Sequence, residues 1–321
     1  MKKVLVLGKI VDAGLEILRA ASDVEYIELP QHAPDLMEHV PDADAIIVRM
    51  TAITEDVVAA APNLKIVARH GVGYERIDVP ALTAKGIPLA LVGNVNALAV
   101  AEHTLAMMLT VAKKFLPYDK ATRTGNFGIS DSFSATELNG KTILLAGFGR
   151  IGQEVAQRCK AFGMDVLIAD PFVQAADVEA AGYRFTGDFK AALPEVDWVS
   201  IHIPKTPETE NFIAAPEMAA MKEGAYLVNV SRGGMVDEAA LYEALKSGHL
   251  RGAALDVFEP EPPGVDNPLF ELDNFLASPH CGAFTEECAQ RMSSACAHNV
   301  LAAFAGNLDP AVVVNKEVLE N

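Results

Sequence analysis

Short apolar runs alternate with amphipathic stretches along most of the chain. Residues 4–7, 24–29, 45–48, 66–68 and 88–91 read as short buried strands, and helical patterns lie between them at 12–21, 33–39, 54–60 and 79–85. Apolar runs alternating with helices predict a parallel sheet covered on both faces. Residues 97–116 follow as a long helical pattern that is apolar on most sides, so it should be buried, between domains or against another subunit. After a polar connection at 122–139 a second strand–helix series begins. Its six strands fall at 143–146, 166–169, 198–201, 226–229, 252–256 and 275–277, the number that two mononucleotide-binding halves require. A last helical stretch, 285–304, should return to pack on the first domain. The expected organisation is α/β, with two doubly wound parallel-sheet domains: residues 1–98 together with 285–321, and residues 99–284.

The join between the strands at 143–146 and 166–169 carries the clearest chemistry. The first enters Gly147-Phe148-Gly149-Arg150-Ile151-Gly152, an amphipathic helix follows, and the second ends at Asp170, 18 residues after Gly152. Gly147 permits a tight turn, Gly149 lets backbone approach a pyrophosphate, and Gly152 lets the helix pack closely on the strand. The helix start offers unpaired N–H groups and a positive dipole end to phosphates. Asp170 is placed to accept from adenine-ribose hydroxyls. A bare glycine pattern is common by chance; the two strands and the terminal acid make it a dinucleotide site.

Composition narrows the partners. The net charge of −17 argues against nucleic acid and against anionic membrane surfaces, both of which reward clustered Lys and Arg. Small anionic substrates need only a few local cations and stay open. The four cysteines, Cys159, Cys281, Cys288 and Cys296, form no metal-ligand spacing, so no metal is expected. Reduced thiols in a cytoplasmic protein are the simplest account. The apolar part after Met1-Lys2-Lys3 is too short for a signal segment and reads as the first strand. Glu102 and His103 interrupt the apolar stretch at 98–112, which therefore is no membrane span.

Four stretches, GFGRIG (147–152) with Asp170, LVNVSRGGMVDEAAL (227–241), GAALDVFEPEPP (252–263) and ASPHCGAF (277–284), together resemble the D-isomer-specific 2-hydroxyacid dehydrogenases. RHGVGYERIDVPALTAKGIP (69–88) and VAEHTLAMML (100–109) extend the resemblance over nearly the whole chain, toward the phosphoglycerate dehydrogenase and hydroxypyruvate reductase branch. It implies a Rossmann cofactor domain inserted into a flavodoxin-like substrate domain, NAD as cofactor, a small anionic 2-hydroxy or 2-oxo acid as substrate, and a homodimer. The implied catalytic arginine falls on Arg232, whose planar fork can bind carboxylate and polarise a keto oxygen. A surface arginine after a strand is the alternative. The acid/base histidine falls on His280 and its carboxylate partner on Glu261, with Glu259 two residues away as the alternative partner. Asp256 is implied beside the nicotinamide carboxamide, or is an ordinary loop-capping acid. His202, Pro204 and Thr206 resemble the family's cofactor-lining loop, with His202 packing near the adenosine. His103, on the buried helix, reads as a satisfied core histidine.

Toward the substrate, the N–H groups of Gly71, Val72 and Gly73 are implied to hold a carboxylate in a glycine-flanked nest. Arg49 and Arg69 match arginines that face the substrate's phosphate in phosphoglycerate dehydrogenases, although structural salt bridges would account for them equally. His70, adjacent to Arg69, could add a titratable contact. The family's Thr-Pro-Gly before an asparagine is here Val92-Gly93-Asn94-Val95-Asn96; Asn96 survives, but the loop shape, and with it substrate choice, is open. A chain of 321 residues leaves no room for the C-terminal regulatory domains of some phosphoglycerate dehydrogenases, so feedback through one is not expected. Two other functions stay open: a dinucleotide-sensing co-repressor-like binding protein of the same fold, and a formate dehydrogenase relative, against which Glu261 counts because that subgroup pairs its histidine with glutamine.

Overall fold

The computed structural model describes residues 1–320, which divide into two compact units, 1–96 with 284–320, and 97–283. In the first unit, β1 (Lys2–Leu7), α1 (Asp12–Ala20), β2 (Val24–Leu29), α2 (Leu36–His39), β3 (Ala45–Val48), α3 (Glu55–Ala60), β4 (Ile66–Arg69), α4 (Val79–Ala84) and β5 (Leu89–Ala90) follow in order. The strands form one parallel sheet in the order β2-β1-β3-β4-β5. All four residues of β3 are buried, as are Val4 to Leu7 of β1, which explains their unbroken apolar runs.

In the second unit come α5 (Ala97–Ala112), α6 (Phe115–Arg123), β6 (Thr142–Ala146), α7 (Arg150–Ala161), β7 (Asp165–Ala169), α8 (Ala175–Ala180), β8 (Arg184–Phe185), α9 (Phe189–Ala192), β9 (Trp198–Ile201), α10 (Ala215–Ala220), β10 (Ala225–Asn229), α11 (Glu238–Lys246), β11 (Leu250–Leu255) and β12 (Phe275–Ala277). The sheet order is β12-β11-β10-β9-β6-β7-β8, again all parallel. Strand order reverses between β1 and β3 in the first unit and between β6 and β9 in the second. In such sheets ligands bind beyond the carboxyl ends of the strands at these reversals. The last helix, α12 (Glu286–Ala305), returns to the first unit and packs on α1, β3 and β4. Thr285 caps it by accepting from Cys288 N–H, 3.2 Å. The approach to α1 is so close that a Cβ on Gly14 would stand 2.6 Å from the Ser293 carbonyl oxygen.

Both units are parallel-sheet α/β, as the alternating pattern predicts, but details differ. The second sheet has seven strands and not six. The additional strand, β8, is two residues long and begins with Arg184, which pairs with Asp165 at 2.5 Å, so no apolar run marks it. The helix predicted over 97–116 stops at Ala112, because Lys114 turns left-handed (φ 52°) and α6 begins anew. Phe115 and Leu116, which prolong the apolar pattern, are both 57% exposed. α5 buries one side inside its own unit, while Leu98, Glu102 and Ala106 are exposed. Ala101, Leu105 and Met108 join Ile143, Leu145 and Trp198 in one core, with α7 packed alongside.

Candidate active site

The turn after β6 has the shape a dinucleotide needs. Gly147 lies at φ 102°, and a Cβ there would stand 2.6 Å from the His202 carbonyl oxygen. A Cβ on Gly152 would collide with the Gly147 carbonyl oxygen, whereas one on Gly149 would meet nothing within 4 Å. Two glycines therefore serve close packing and the third leaves open space at the start of α7. Asp170 ties the turn together: one carboxylate oxygen accepts from Phe148 N–H and the other from Phe172 N–H, both at 2.8 Å. A carboxylate has about four acceptor positions, so two remain for a ribose. Gln153 donates to the Phe148 carbonyl at 3.0 Å, and Arg150 and Ile151 open α7.

Across the strand-order reversal, His202 follows β9. Its ring pairs with Ser200 Oγ through Nε2 at 2.8 Å, while Nδ1 is buried without a partner. Burial pushes its pKa down to about 3, so the ring is neutral and unsuited to carrying protons at neutral pH. The loop beyond is held by a residue that sequence reasoning missed. Thr209 accepts from Thr206 N–H at 2.7 Å and donates to the Pro204 carbonyl at 2.8 Å. Threonine hydroxyls favour turns because they hydrogen-bond nearby backbone, which is the local signal here.

Arg232 sits after β10 on a turn organised by buried Asn229. The asparagine donates to the Arg232 carbonyl at 2.9 Å and accepts from Ser231 N–H at 2.9 Å. The guanidinium donates to the Ser231 carbonyl at 2.7 Å. A Cβ on Gly233 would collide with the Phe258 carbonyl oxygen, so this turn rests directly on the segment leading to Glu259 and Glu261. Of those two acids, Glu261 places Oε1 2.6 Å from His280 Nδ1, while Glu259 pairs with Lys205 at 2.8 Å and is largely exposed. With Nδ1 paired to the carboxylate, Nε2 is the ring nitrogen left for another partner. His280 itself lies at φ 52°, a left-handed backbone uncommon for a residue with a side chain. Its N–H donates to the Asp256 carbonyl at 2.8 Å, which fixes this conformation.

Asp256 is 1% exposed and heavily supported. It accepts from Ser278 Oγ (2.6 Å), Cys281 N–H (2.9 Å) and Gly282 N–H (3.0 Å), with His103 Nε2 at 3.4 Å. Burial works to raise its pKa, but the donors from His103, Ser278, Cys281 and Gly282 outweigh it and hold the carboxyl below the usual range. His103 also meets Ser278 Oγ at 3.0 Å, so it is satisfied within the helix–strand contact. Ligand atoms of His103, Asp256 and Cys281 lie within 4.8 Å of one another, a metal-type donor set; Ser278 and Cys281 already occupy Oδ1 of the carboxylate, while Oδ2 accepts from Gly282 N–H and keeps one further acceptor position.

In the first unit, the loop after β4 carries Gly71 at φ 145°. Arg69 folds back on it, donating from Nε to the Gly73 carbonyl at 2.7 Å and from Nη1 to the His70 carbonyl at 2.5 Å. The arginine thus shapes the Gly71-Val72-Gly73 backbone. Arg49 directly follows β3, donates to the Lys9 carbonyl at 3.2 Å and lies over the Phe284 ring at 5.0 Å; burial lowers its pKa. Asn96 is buried at 6% exposure, and the preceding Val95 carbonyl accepts from Arg291 at 3.1 Å. Among the described residues no helix is long and apolar enough to cross a membrane.

Residues 105–282 match the family model for the NAD binding domain of D-isomer specific 2-hydroxyacid dehydrogenases. A D-3-phosphoglycerate dehydrogenase of Methanocaldococcus jannaschii is 39% identical over 98% of this chain, which spans 59% of that protein's length. A glyoxylate reductase of Thermofilum pendens is 39% identical over 99% of this chain and 96% of its own. Among solved structures, an NAD-dependent formate dehydrogenase of Staphylococcus aureus in complex with NAD superposes with a TM-score of 0.85 at 30% identity, covering 98% of this chain and 99% of its own.

Proposed function

Because the chain belongs to the D-isomer specific 2-hydroxyacid dehydrogenase family, we propose that it is an NAD-dependent oxidoreductase interconverting a D-2-hydroxy acid and its 2-oxo acid. The observation that carries this reading is the pairing of His280 Nδ1 with Glu261 at 2.6 Å, in the unit that also holds the glycine turn. That turn fits the cofactor: Gly149 leaves room, the α7 start presents N–H groups, and Asp170 keeps two acceptor positions. Bound NADH supplies the hydride. His202, Pro204 and Thr206 line the adenosine side, and Asp256 accepts from the carboxamide.

Reduction of a 2-oxo acid leaves negative charge on the former keto oxygen, so a proton donor is required there. Glu261 fixes the His280 ring and keeps a proton on Nδ1, and Nε2 delivers the catalytic proton. In the oxidative direction the same nitrogen receives it. Arg232 supplies two parallel donors, binding the carboxylate and polarising the keto oxygen; that polarisation strengthens as charge develops. The N–H groups of Gly71, Val72 and Gly73 hold the carboxylate, Arg69 keeps their loop in shape, and Asn96 borders the substrate. Arg49 and Arg69 favour acids with a second anionic group. The substrate class is thus 3-phosphoglycerate-like, or of the hydroxypyruvate and glyoxylate type.

The test is NADH oxidation with glyoxylate, hydroxypyruvate, 3-phosphohydroxypyruvate and 2-oxoglutarate. Turnover of at least one supports the proposal. Tight NADH binding with no turnover of any would favour a dinucleotide-sensing protein instead.

A further inference from the structure

α5, the end of β11 and the loop after β12 bring His103, Asp256 and Cys281 to one point within the second unit. A ring nitrogen, a carboxylate oxygen and a sulfur there all lie within 4.8 Å of one another. The three residues are far apart in the chain, so no ligand spacing marks them in the sequence. Asp256 is 1% exposed, whereas the His103 side chain is 21% exposed and Cys281 is half-buried. The carboxylate is thus the floor of the cluster, and the imidazole and thiol form its open side.

Three observations fit a thiophilic divalent cation. First, His103 Nε2 stands 3.4 Å from Asp256 Oδ1. Two nitrogen or oxygen ligands of one tetrahedral zinc ion stand about 3.4 Å apart, and a thiolate about 3.6 Å from either, so a side-chain movement on the order of 1 Å completes the set. Second, Asp256 Oδ2 accepts from Gly282 N–H at 3.0 Å and keeps one further position for a ligand. Third, Gly282 has no left-handed backbone to require glycine, yet a Cβ there would stand 3.2 Å from Asp256 Oδ2 and 3.4 Å from His103 Cδ2. The missing side chain keeps the space beside both groups open. Imidazole, thiolate and carboxylate together suit Zn²⁺, whereas Mg²⁺ and Ca²⁺ take oxygen shells. Ser278 Oγ gives its proton to Asp256 at 2.6 Å and accepts from His103 Nε2 at 3.0 Å. Coordination therefore moves the His103 ring proton to Nδ1, and Cys281 releases its thiol proton to solvent.

We propose that His103, Asp256 and Cys281 form an inhibitory Zn²⁺ site, with water as the fourth ligand, and that the cation and the cofactor exclude one another. The site rests on this geometry alone. The exclusion rests on the dehydrogenase reading, in which Asp256 accepts from the nicotinamide carboxamide. Cys281→Ser keeps the shape of the side chain and removes the soft ligand.

Two measurements on the full, reduced chain separate the claims. Co²⁺ serves as a coloured substitute for Zn²⁺. A single equivalent should produce thiolate-to-cobalt absorption in the near ultraviolet, which Cys281→Ser abolishes, and His103→Gln should weaken Co²⁺ binding at least tenfold. No such absorption in the wild type, or absorption that survives Cys281→Ser, overturns the site. In fluorescence titrations, Zn²⁺ at ten times its own Kd should raise the apparent Kd of NADH about tenfold in the wild type. In Cys281→Ser the same zinc should change it less than twofold. NADH affinity untouched by zinc, in protein that shows the cobalt absorption, would overturn the exclusion and the placement of the carboxamide on Asp256. Failure of metal-free protein to bind NADH would reject the dehydrogenase reading, and the cobalt spectrum would still decide the site.

Discussion

Replacing Asp170 should change which dinucleotide binds, and its surroundings set the size of the effect. Each of its oxygens already accepts one backbone N–H at 2.8 Å, leaving two acceptor positions for ribose hydroxyls. Hydrogen bonds to a charged acceptor are worth ~1.5–3 kcal/mol each. Losing two therefore weakens NADH by at least ~3 kcal/mol, or on the order of 10²-fold. The same change removes a repulsion of ~1–4 kcal/mol between the carboxylate and a 2′-phosphate at close range. Asp170→Ala should thus shift the NADH-over-NADPH preference by on the order of 10³-fold. Asp170→Asn is not a milder version, because an amide has only one acceptor atom and would present N–H to either Phe148 or Phe172. Fluorescence titration with both reduced cofactors measures the ratio, and thermal unfolding separates loop damage from lost ribose contacts. Wild-type protein that binds NADPH as tightly as NADH, or an unchanged ratio in Asp170→Ala, would refute the reasoning.

Other consequences follow from the same geometry. Arg232→Lys keeps the charge but loses the planar fork, so kcat should fall about 10²-fold along with a rise in KM; steady-state kinetics showing only a KM effect would reject the polarising role. Gly152→Ala drives a methyl group into the Gly147 carbonyl and should cost about 1–3 kcal/mol of stability while weakening NADH binding, read by melting temperature and cofactor titration. His70 is neutral in the fold down to about pH 4 but takes a proton near pH 6.5 when unfolded. The unfolded chain therefore binds the extra proton, and the stability present above pH 6.5 is lost as pH falls to about 4, by about 3 kcal/mol in total. Urea unfolding of wild type and His70→Gln across this window should show the smaller acid loss in the variant; parallel losses would mean that other groups dominate.

The parts of the molecule legible in sequence are those where one residue type has a single workable use. Gly147 and Gly152 tolerate no side chain, and the buried runs of β1, β3 and β6 admit little but apolar residues. β8 escaped because two edge residues carry no periodicity. The end of α5 escaped because apolar Phe115 and Leu116 continue the pattern past a left-handed turn at Lys114. Candidate site residues are named where they resemble a motif, and the residues that support them carry no such mark. Asn229 under Arg232, Ser278 and His103 on Asp256, and Ser293 on His70 act across 3 to 223 positions of chain, and polar residues at such separations leave no local signature. Arg69 reads as a ligand contact from its place two residues before Gly71; that its side chain also hydrogen-bonds the carbonyls of its own loop has no sequence signature.

The account turns on the proton that His280 moves, held in place by Glu261. Single-turnover reduction of a 2-oxo acid by wild type and His280→Ala, each with NADH prebound, tests this most directly. His280→Ala should bind NADH within a few-fold of wild type and lose on the order of 10²–10⁴ in the rate of nicotinamide oxidation. A rate within a factor of ten of wild type, with NADH binding intact, would contradict the assignment.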